Sequence, residues 1–309
     1  MLGIEQIASY LPATRASNLD LSEKFGLQAD FIENKIGVLE RCVKDADEDT
    51  SDMAVKALNA LLTKSGTRAE EIEALVVVTQ NPDYNIPHVS GLVHAKAALS
   101  EACATFDISL GCSGYVYGLS IIQSFMVSMG LTKGVLITAD PYTKIVDQDD
   151  KNTALLFADA ATATLIGSNP VFETNSFAFG SRGDLRRSLI CENGVLEMNG
   201  RDVFNFAVTL VPKVVQETLA KANLELCDID RFLFHQGSGY ILDALTKRMK
   251  LDAEKVVNGL TFTGNTVSSS IPLLLEKEIA STGTTRLVIC GFGVGLSLAS
   301  CICKRKEIL

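Results

Sequence analysis

Two stretches decide the fold. Ala69-Glu70-Glu71-Ile72 leads into ALVVVTQ (Ala74–Gln80), and Leu226-Cys227-Asp228-Ile229 leads into RFLFHQ (Arg231–Gln236). Each is a short acidic turn followed by an apolar run, the pattern of a buried strand. Ile72 and Ile229 are 157 residues apart, Gln80 and Gln236 are 156 apart. Upstream, Thr50 opens a helical pattern to Lys64, and Arg201 opens a longer one to Asn223. Downstream, VLITAD (Val135–Asp140) resembles LVICGF (Leu287–Phe292) at an offset of 152, and each precedes an apolar run, Ala154–Gly167 or Gly295–Cys303. The chain therefore reads as a duplication. Each half runs strand, helix, strand, helix, strand, helix, strand, strand, which gives a mostly parallel α/β sheet with a closing hairpin. The turn cluster Gly167-Ser168-Asn169-Pro170 divides it into residues 1–168 and 169–309.

Composition narrows the function. The 309 residues carry 28 basic and 37 acidic side chains, a net charge of −9, which argues against general nucleic-acid binding or a polybasic membrane surface. The 47% hydrophobic content supplies a sizeable core. Eight cysteines form no CxxC pair, so no metal site is expected, and with no signal-like opening they read as free thiols in a reducing cytoplasm. Residues 108–132 hold no charge for 25 positions, but Gly111 and Gly114 interrupt them. They predict a strand end, a tight turn and a helix from about Tyr115 to Met129. An uncharged helix is expected to be buried on every side, between the two sheets rather than in a membrane.

Strands of this kind gather their ends, turns and helix N-termini at one edge. Three glycine turns belong there: Leu110-Gly111-Cys112-Ser113-Gly114, Phe234-His235-Gln236-Gly237-Ser238 and Thr263-Gly264-Asn265-Thr266. Cys112 would start the central helix, whose dipole favours a thiolate and by itself moves a thiol pKa from ~8.5 towards ~7.5. His235 alone also fits a hydrogen-bonded core residue, and Asn265 alone a turn residue. His88 and His94 read as exposed or capping residues. Together, a thiol, an imidazole and an amide at strand ends form an acyl-transfer constellation.

At these residues the chain resembles the β-ketoacyl-acyl-carrier-protein synthase III family of the thiolase superfamily. The likeness runs through Tyr10-Leu11-Pro12, Ile36-Gly37-Val38 with Arg41, Asp107 to Gly114, Asn152-Thr153, Phe157 to Ala160, His235-Gln236, Gly264-Asn265-Thr266, Ile271-Pro272 and Gly291 to Ser297. It implies a layered αβαβα fold with mixed five-stranded sheets. It implies catalysis by Cys112, His235 and Asn265, with the backbone N–H groups of Cys112 and Val294 as the oxyanion hole. The reaction implied is condensation of a Cys-bound acyl group with malonyl-acyl-carrier protein, with loss of carbon dioxide. Acyl-CoA or acyl-carrier protein would bring the primer, and no resident cofactor is needed. Substrate contacts are implied for Phe31, Lys35, Ile86, Tyr142, Lys151, Phe157, Leu189, Phe204, Asn205, Gly237 and Ser238. Lys247, Arg248 and Lys250 match the carrier-docking helix. Family members are homodimers in which the loop around Ile86 closes the partner's pocket.

The departures concern coenzyme A. Phe31 stands where the family has an adenine-stacking Trp, Lys35 where it has Arg, and Asn205 where it has Lys. His-Gln-Ala-Asn becomes His235-Gln236-Gly237-Ser238, and a following Arg becomes Tyr240. Arg and Lys are not equivalent at phosphate, so the primer is expected on carrier protein or as an unusual acyl-CoA. Two other readings stay open: an acyltransferase or condensing enzyme of a specialised pathway, and an inactive partner subunit.

Overall fold

The computed structural model describes residues 2–307. Its first half lays strands β1 (Gly3–Tyr10), β2 (Ala74–Val78), β3 (Ala104–Ile108), β4 (Gly134–Ala139) and β5 (Ala161–Gly167) in the order β1-β5-β4-β2-β3. The second half lays β6 (Phe172–Ser181), β7 (Arg231–Phe234), β8 (Arg286–Gly293) and β9 (Ser297–Arg305) in the order β6-β9-β8-β7. The pairings repeat. β2 runs parallel to β4 and β7 to β8, while the hairpins β4–β5 and β8–β9 are antiparallel. One residue pair, Ile4 with Phe172, joins the two sheets.

The first sheet has the five strands the resemblance implies. The second has four, and its fifth position is a one-residue parallel bridge, Val256 to Phe232. The physical reason lies in the sequence: KVVNGLTFTGN (255–265) turns through Asn-Gly after two valines and has no room for a longer run.

The six helices of eight or more residues among the described residues make three layers. α1 (Thr50–Ser65) and α2 (Val89–Lys96) cover the outer face of the first sheet, and α4 (Gly200–Ala222) covers that of the second, with α5 (Gly239–Met249) packed on α4. α3 (Gly114–Met129) and α6 (Ser270–Ala280) lie between the sheets and touch both. Tyr115, Val116, Leu119, Ile122 and Met126 of α3 share one core with Val76, Leu136, Ile289 and Cys301.

The expectation that α3 is buried all round holds only for its first two turns. Val127 is 69% exposed and Met129 61%, and Ile121 is also exposed. Its C-terminal end emerges from between the sheets, and Phe125 there meets Phe106 of the edge strand β3 edge-on at 5.5 Å. No helix among the described residues is long and apolar enough to cross a membrane.

Candidate active site

Cys112 sits in the turn between β3 and α3, 3% exposed. Glycines shape the place, but not chiefly by admitting substrate. A Cβ on Gly114 would come 2.4 Å from Val78 Cγ1, so this glycine lets the helix start press on β2. Gly293, arriving from β8 with φ +155°, is the one that faces the sulfur: a Cβ there would lie 2.8 Å from Cys112 Sγ. The backbone N–H groups of Val294 and of Cys112 itself also approach the thiol. Burial nevertheless dominates and pushes the thiol up to about 12, outweighing those contacts. The helix dipole alone argued the other way. Its small, local benefit does not match the loss of hydration in a site this closed.

His235 directly follows β7 and is 3% exposed. Its backbone N–H donates to Cys290 O at 2.9 Å, and its ring meets Phe292 edge-on at 5.5 Å. Nδ1 lies 2.8 Å from Ser270 Oγ, which leaves Nε2 for the substrate side. Burial pushes the imidazole down to about 3, with a backbone contact to Val267 offsetting a little, so the ring is neutral.

Asn265 is held by both halves. Its N–H donates to Leu156 O and its carbonyl accepts from Ala158 N–H, each at 2.9 Å, a parallel bridge across the join. Oδ1 accepts from Val267 N–H at 3.0 Å, and Nδ2 donates to Gly237 O at 3.4 Å, leaving its second hydrogen free. Val267 adopts φ +52°, a region that strains a β-branched residue by about 1–3 kcal/mol. The strained turn is what aims its N–H at Asn265.

Cys112, His235 and Asn265 line one cavity of about 490 Å³, with apolar walls from Leu156, Phe157, Leu189, Met198 and Phe292. That is the size and character of a ligand pocket. Phe31, Lys35, Lys151, Phe204, Gly237 and Ser238 also line it. At the mouth Phe204 stacks on Tyr240 at 5.0 Å, and Lys35 Nζ lies 5.5 Å from the Tyr240 ring centre.

Two of the expected substrate contacts, Asn205 and Tyr142, lie off this wall, and Ile86 is expected at the partner's pocket. Asn205 is exposed on α4 and is not part of the wall, because the helix turns it away from the side that carries Phe204. Ile86 is 88% exposed on a loop of the first half and does not border this chain's cavity. Tyr142 is buried behind the wall, its ring 5.0 Å from Phe157 and its hydroxyl donating to Gln80 Oε1 at 3.2 Å. Lys247, Arg248 and Lys250 are exposed at the far end of α5, whose first turn borders the mouth. His88 and His94 are spent on Thr105 Oγ1 and Ser100 O.

Comparison with known proteins fits this arrangement. The family signature for 3-oxoacyl-[acyl-carrier-protein] synthase III matches residues 106–183, and that for its C-terminal part matches residues 219–305. The β-ketoacyl-[acyl-carrier-protein] synthase III of Lactococcus lactis is 34% identical over 97% of this chain and 98% of its own. The chain belongs to the β-ketoacyl-acyl-carrier-protein synthase III family. A crystal structure of the Thermus thermophilus synthase III superposes with a TM-score of 0.92 at 30% identity, covering 99% of this chain and 100% of that one. The thiolase-like fold follows. The priming β-ketosynthase of the R1128 polyketide pathway superposes at 0.90 with 26% identity, covering 100% and 97%.

Two residues quoted for the family likeness turn out to brace the site. Arg41, 2% exposed, donates to Asn18 Oδ1 at 2.9 Å and to Phe157 O at 3.3 Å. Asp159 accepts from the N–H groups of Lys44 and Thr143. Both fix the segment that pairs with Asn265. Sequence reasoning missed Asp140 and Ser270. Asp140 accepts from Gln80 N–H at 2.8 Å and Ser268 Oγ at 2.9 Å, tying the first half to the Asn265 loop, and burial pushes its carboxyl up to about 7. The signals were faint: an aspartate ending an apolar strand, and one serine in the run Ser268–Ser270.

Proposed function

We propose that Cys112 takes an acyl group from a thioester and that His235 and Asn265 direct its condensation with malonyl-acyl-carrier protein. In this reading the protein is a condensing acyltransferase of fatty acid biosynthesis. One observation carries it: the nucleophile from one half and both hydrogen-bonding groups from the other half line a single apolar cavity.

The mechanism follows from the geometry. The buried thiol gives up its proton as it attacks the primer thioester, neutral His235 Nε2 accepts that proton, and the thioester C–S bond breaks to release the CoA or carrier thiol. The malonyl thioester oxygen then sits between His235 Nε2–H and Asn265 Nδ2–H. As carbon dioxide leaves, these donors stabilise the enolate. Neither is acidic enough to protonate the carbanion outright. The carbanion attacks the acyl-Cys112 carbonyl, whose oxyanion is held by the N–H groups of Cys112 and Val294. Collapse breaks the C–S bond and frees the Cys112 sulfur. No resident cofactor takes part; acyl-CoA or acyl-carrier protein and malonyl-acyl-carrier protein are substrates.

The aromatic mouth, with Phe31, Phe204 and Tyr240 and with Lys35 and Lys151, supports a primer on carrier protein or an unusual acyl-CoA. Exposed Lys247, Arg248 and Lys250 suit an acidic carrier. The unpaired edge of β3 and the apolar end of α3 support a homodimer, in which the exposed Ile86 loop would reach the partner's cavity. The unpaired cysteines suit work in the cytoplasm. The similarity to a polyketide priming synthase supports a second reading, condensation in a specialised pathway.

Intact-protein mass spectrometry after incubation with a panel of acyl-CoA and acyl-carrier thioesters tests the proposal. One acyl mass is expected per chain, absent in Cys112→Ser, and release of a 3-oxoacyl product on adding malonyl-acyl-carrier protein. Acylation elsewhere, or undiminished turnover by Cys112→Ser, overturns it.

A further inference from the structure

Behind the site lies a second, smaller cavity of about 110 Å³. Its wall includes Ser9, Gln236, Thr266, Ser270, Glu276 and Lys277. Lys277 is exposed, so the space opens towards solvent, and Glu276 is engaged by Lys64 at 2.7 Å. Leu11, Leu273 and Leu274 complete the wall, so waters are held where they meet Ser9, Gln236, Thr266 and Ser270; a water takes about 30 Å³ in the liquid, which leaves room for a short chain of them. Thr266 Oγ1 is buried with no hydrogen-bond partner among the described residues, and the residue lines this cavity. A water there would satisfy it.

The inner end of this cavity is Ser270, 2% exposed, whose Oγ lies 2.8 Å from His235 Nδ1. The Gln236 N–H approaches the same oxygen at 3.4 Å, which leaves the serine's own hydrogen free to donate. His235 borders the front cavity and Ser270 the rear one, so the imidazole–hydroxyl pair is the partition between them.

We propose that Ser270 and the rear cavity form a proton path between solvent and His235. The inference rests on the condensing reading, whose stoichiometry demands such a path. Acyl transfer to Cys112 releases one proton from the thiol. Condensation turns the malonyl carboxylate into carbon dioxide and returns Cys112 as a thiolate, which must regain a proton. At that moment the front cavity holds the thioester arm. The tautomers close the cycle. In acyl transfer, Nε2 accepts the thiol proton while Nδ1–H passes its own to Ser270 and the rear waters; the departing thiolate is protonated by bulk solvent. The ring is left with Nε2–H, the donor the enolate needs. In the reset, Nε2 gives its proton to the Cys112 thiolate, Nδ1 takes one from Ser270, and the rear waters resupply the hydroxyl. One solvent proton is consumed per turnover, as carboxylate becomes carbon dioxide.

The test mixes acyl-enzyme with malonyl-acyl-carrier protein and excess primer. The parent should form product linearly. Ser270→Ala should release one product per site near the parent rate and then slow about tenfold in kcat with KM unchanged, less than the roughly 10²–10⁴-fold of a direct general acid or base because water can stand in for the hydroxyl. Its steady-state solvent deuterium isotope effect should rise to about 2 or more, and Ser270→Thr should restore both. Thr266→Val, which touches neither Cys112 nor substrate, should slow the same step about threefold while unfolding no earlier, because it removes an unpartnered buried hydroxyl. Parent-like turnover and isotope effect in Ser270→Ala overturn the path. So does a slowing without burst or isotope effect, which marks Ser270 as a mere support for the ring. If the parent itself forms no 3-oxoacyl product, the condensing reading has failed before any variant is compared.

Discussion

The Cys112 turn and the Asn265 loop differ in what holds them. A full strand of its own half, β3, delivers the Cys112 turn, Gly114 presses the helix start onto β2, and the second half adds the Ser113–Ser297 hydroxyl contact at 2.6 Å and the close approach of Gly293. The Asn265 loop lacks a strand before it. A single residue, Val256, marks the missing strand, and the loop is then gripped from outside by Leu156 and Ala158 of the other half. The nucleophile is thus delivered by a strand of its own half and only touched across the join, whereas the amide has no such strand and is placed by the join. Duplication supplied a common scaffold, and the chemistry parted where one copy gave up its edge strand.

The largest way to sharpen that contrast is Asn265→Ala. Removing one preorganised donor costs about 10²–10³ in rate. Condensation should fall by that much, while acyl transfer to Cys112 stays within a few-fold of the parent. Rapid-quench measurement of acyl-enzyme and of 3-oxoacyl product separates the steps. Equal losses in both would mean that Asn265 also positions the thiol.

The next effect concerns Cys112 itself against the exposed cysteines Cys191 and Cys227. A thiol pushed up to about 12 by burial holds very little thiolate at neutral pH. Its higher intrinsic nucleophilicity recovers only part of that, since the Brønsted slope is about 0.4–0.5. Iodoacetamide should label Cys112 roughly 30-fold more slowly than Cys191 at pH 8, with a rate still climbing above pH 10. Peptide-resolved mass spectrometry reads both. A Cys112 rate that levels off near pH 8 would show that the helix start outweighs burial.

These particulars explain what the sequence made legible. The duplication, the element order and the three glycine turns were readable, because strand and helix periods and glycine placement are local properties. The identity of the walls was partly readable through family likeness, as with Phe157, Leu189 and Phe204. Tyr142 and Asn205 lie off this chain's cavity, because which side of a loop or helix faces a cavity is set by tertiary packing. The thiol's environment was misjudged for the same reason. A helix dipole can be inferred from a turn, whereas desolvation depends on Gly293, Phe292 and Val294, which arrive from about 180 residues away. Ser270 and Asp140 carried no motif at all, and their partners identify them only in three dimensions.

The smallest effect compares one buried ionisable group from each half. His235 has its pKa pushed down to about 3, so between there and about 6.5 the unfolded chain binds a proton that the native state refuses. Stability from that source is complete above about pH 6.5 and lost as pH falls. Asp140 has its pKa pushed up to about 7, so from about 3.8 upward the native state keeps a proton that the unfolded chain releases. That contribution is complete below about pH 3.8 and lost as pH rises through 7. Between about pH 4 and 6.5 the two slopes oppose and nearly cancel. Asp140→Asn should uncover the His235 slope, so that its stability relative to the parent rises with pH by up to about 1.4 kcal/mol per unit in that window. His235→Gln should show the reverse sign. Urea midpoints at half-unit pH steps measure both differences, and the remaining carboxylates supply a background common to parent and variants. Parallel curves for all three proteins would mean that neither burial survives in solution, and with it would go the neutral imidazole on which the enolate chemistry depends.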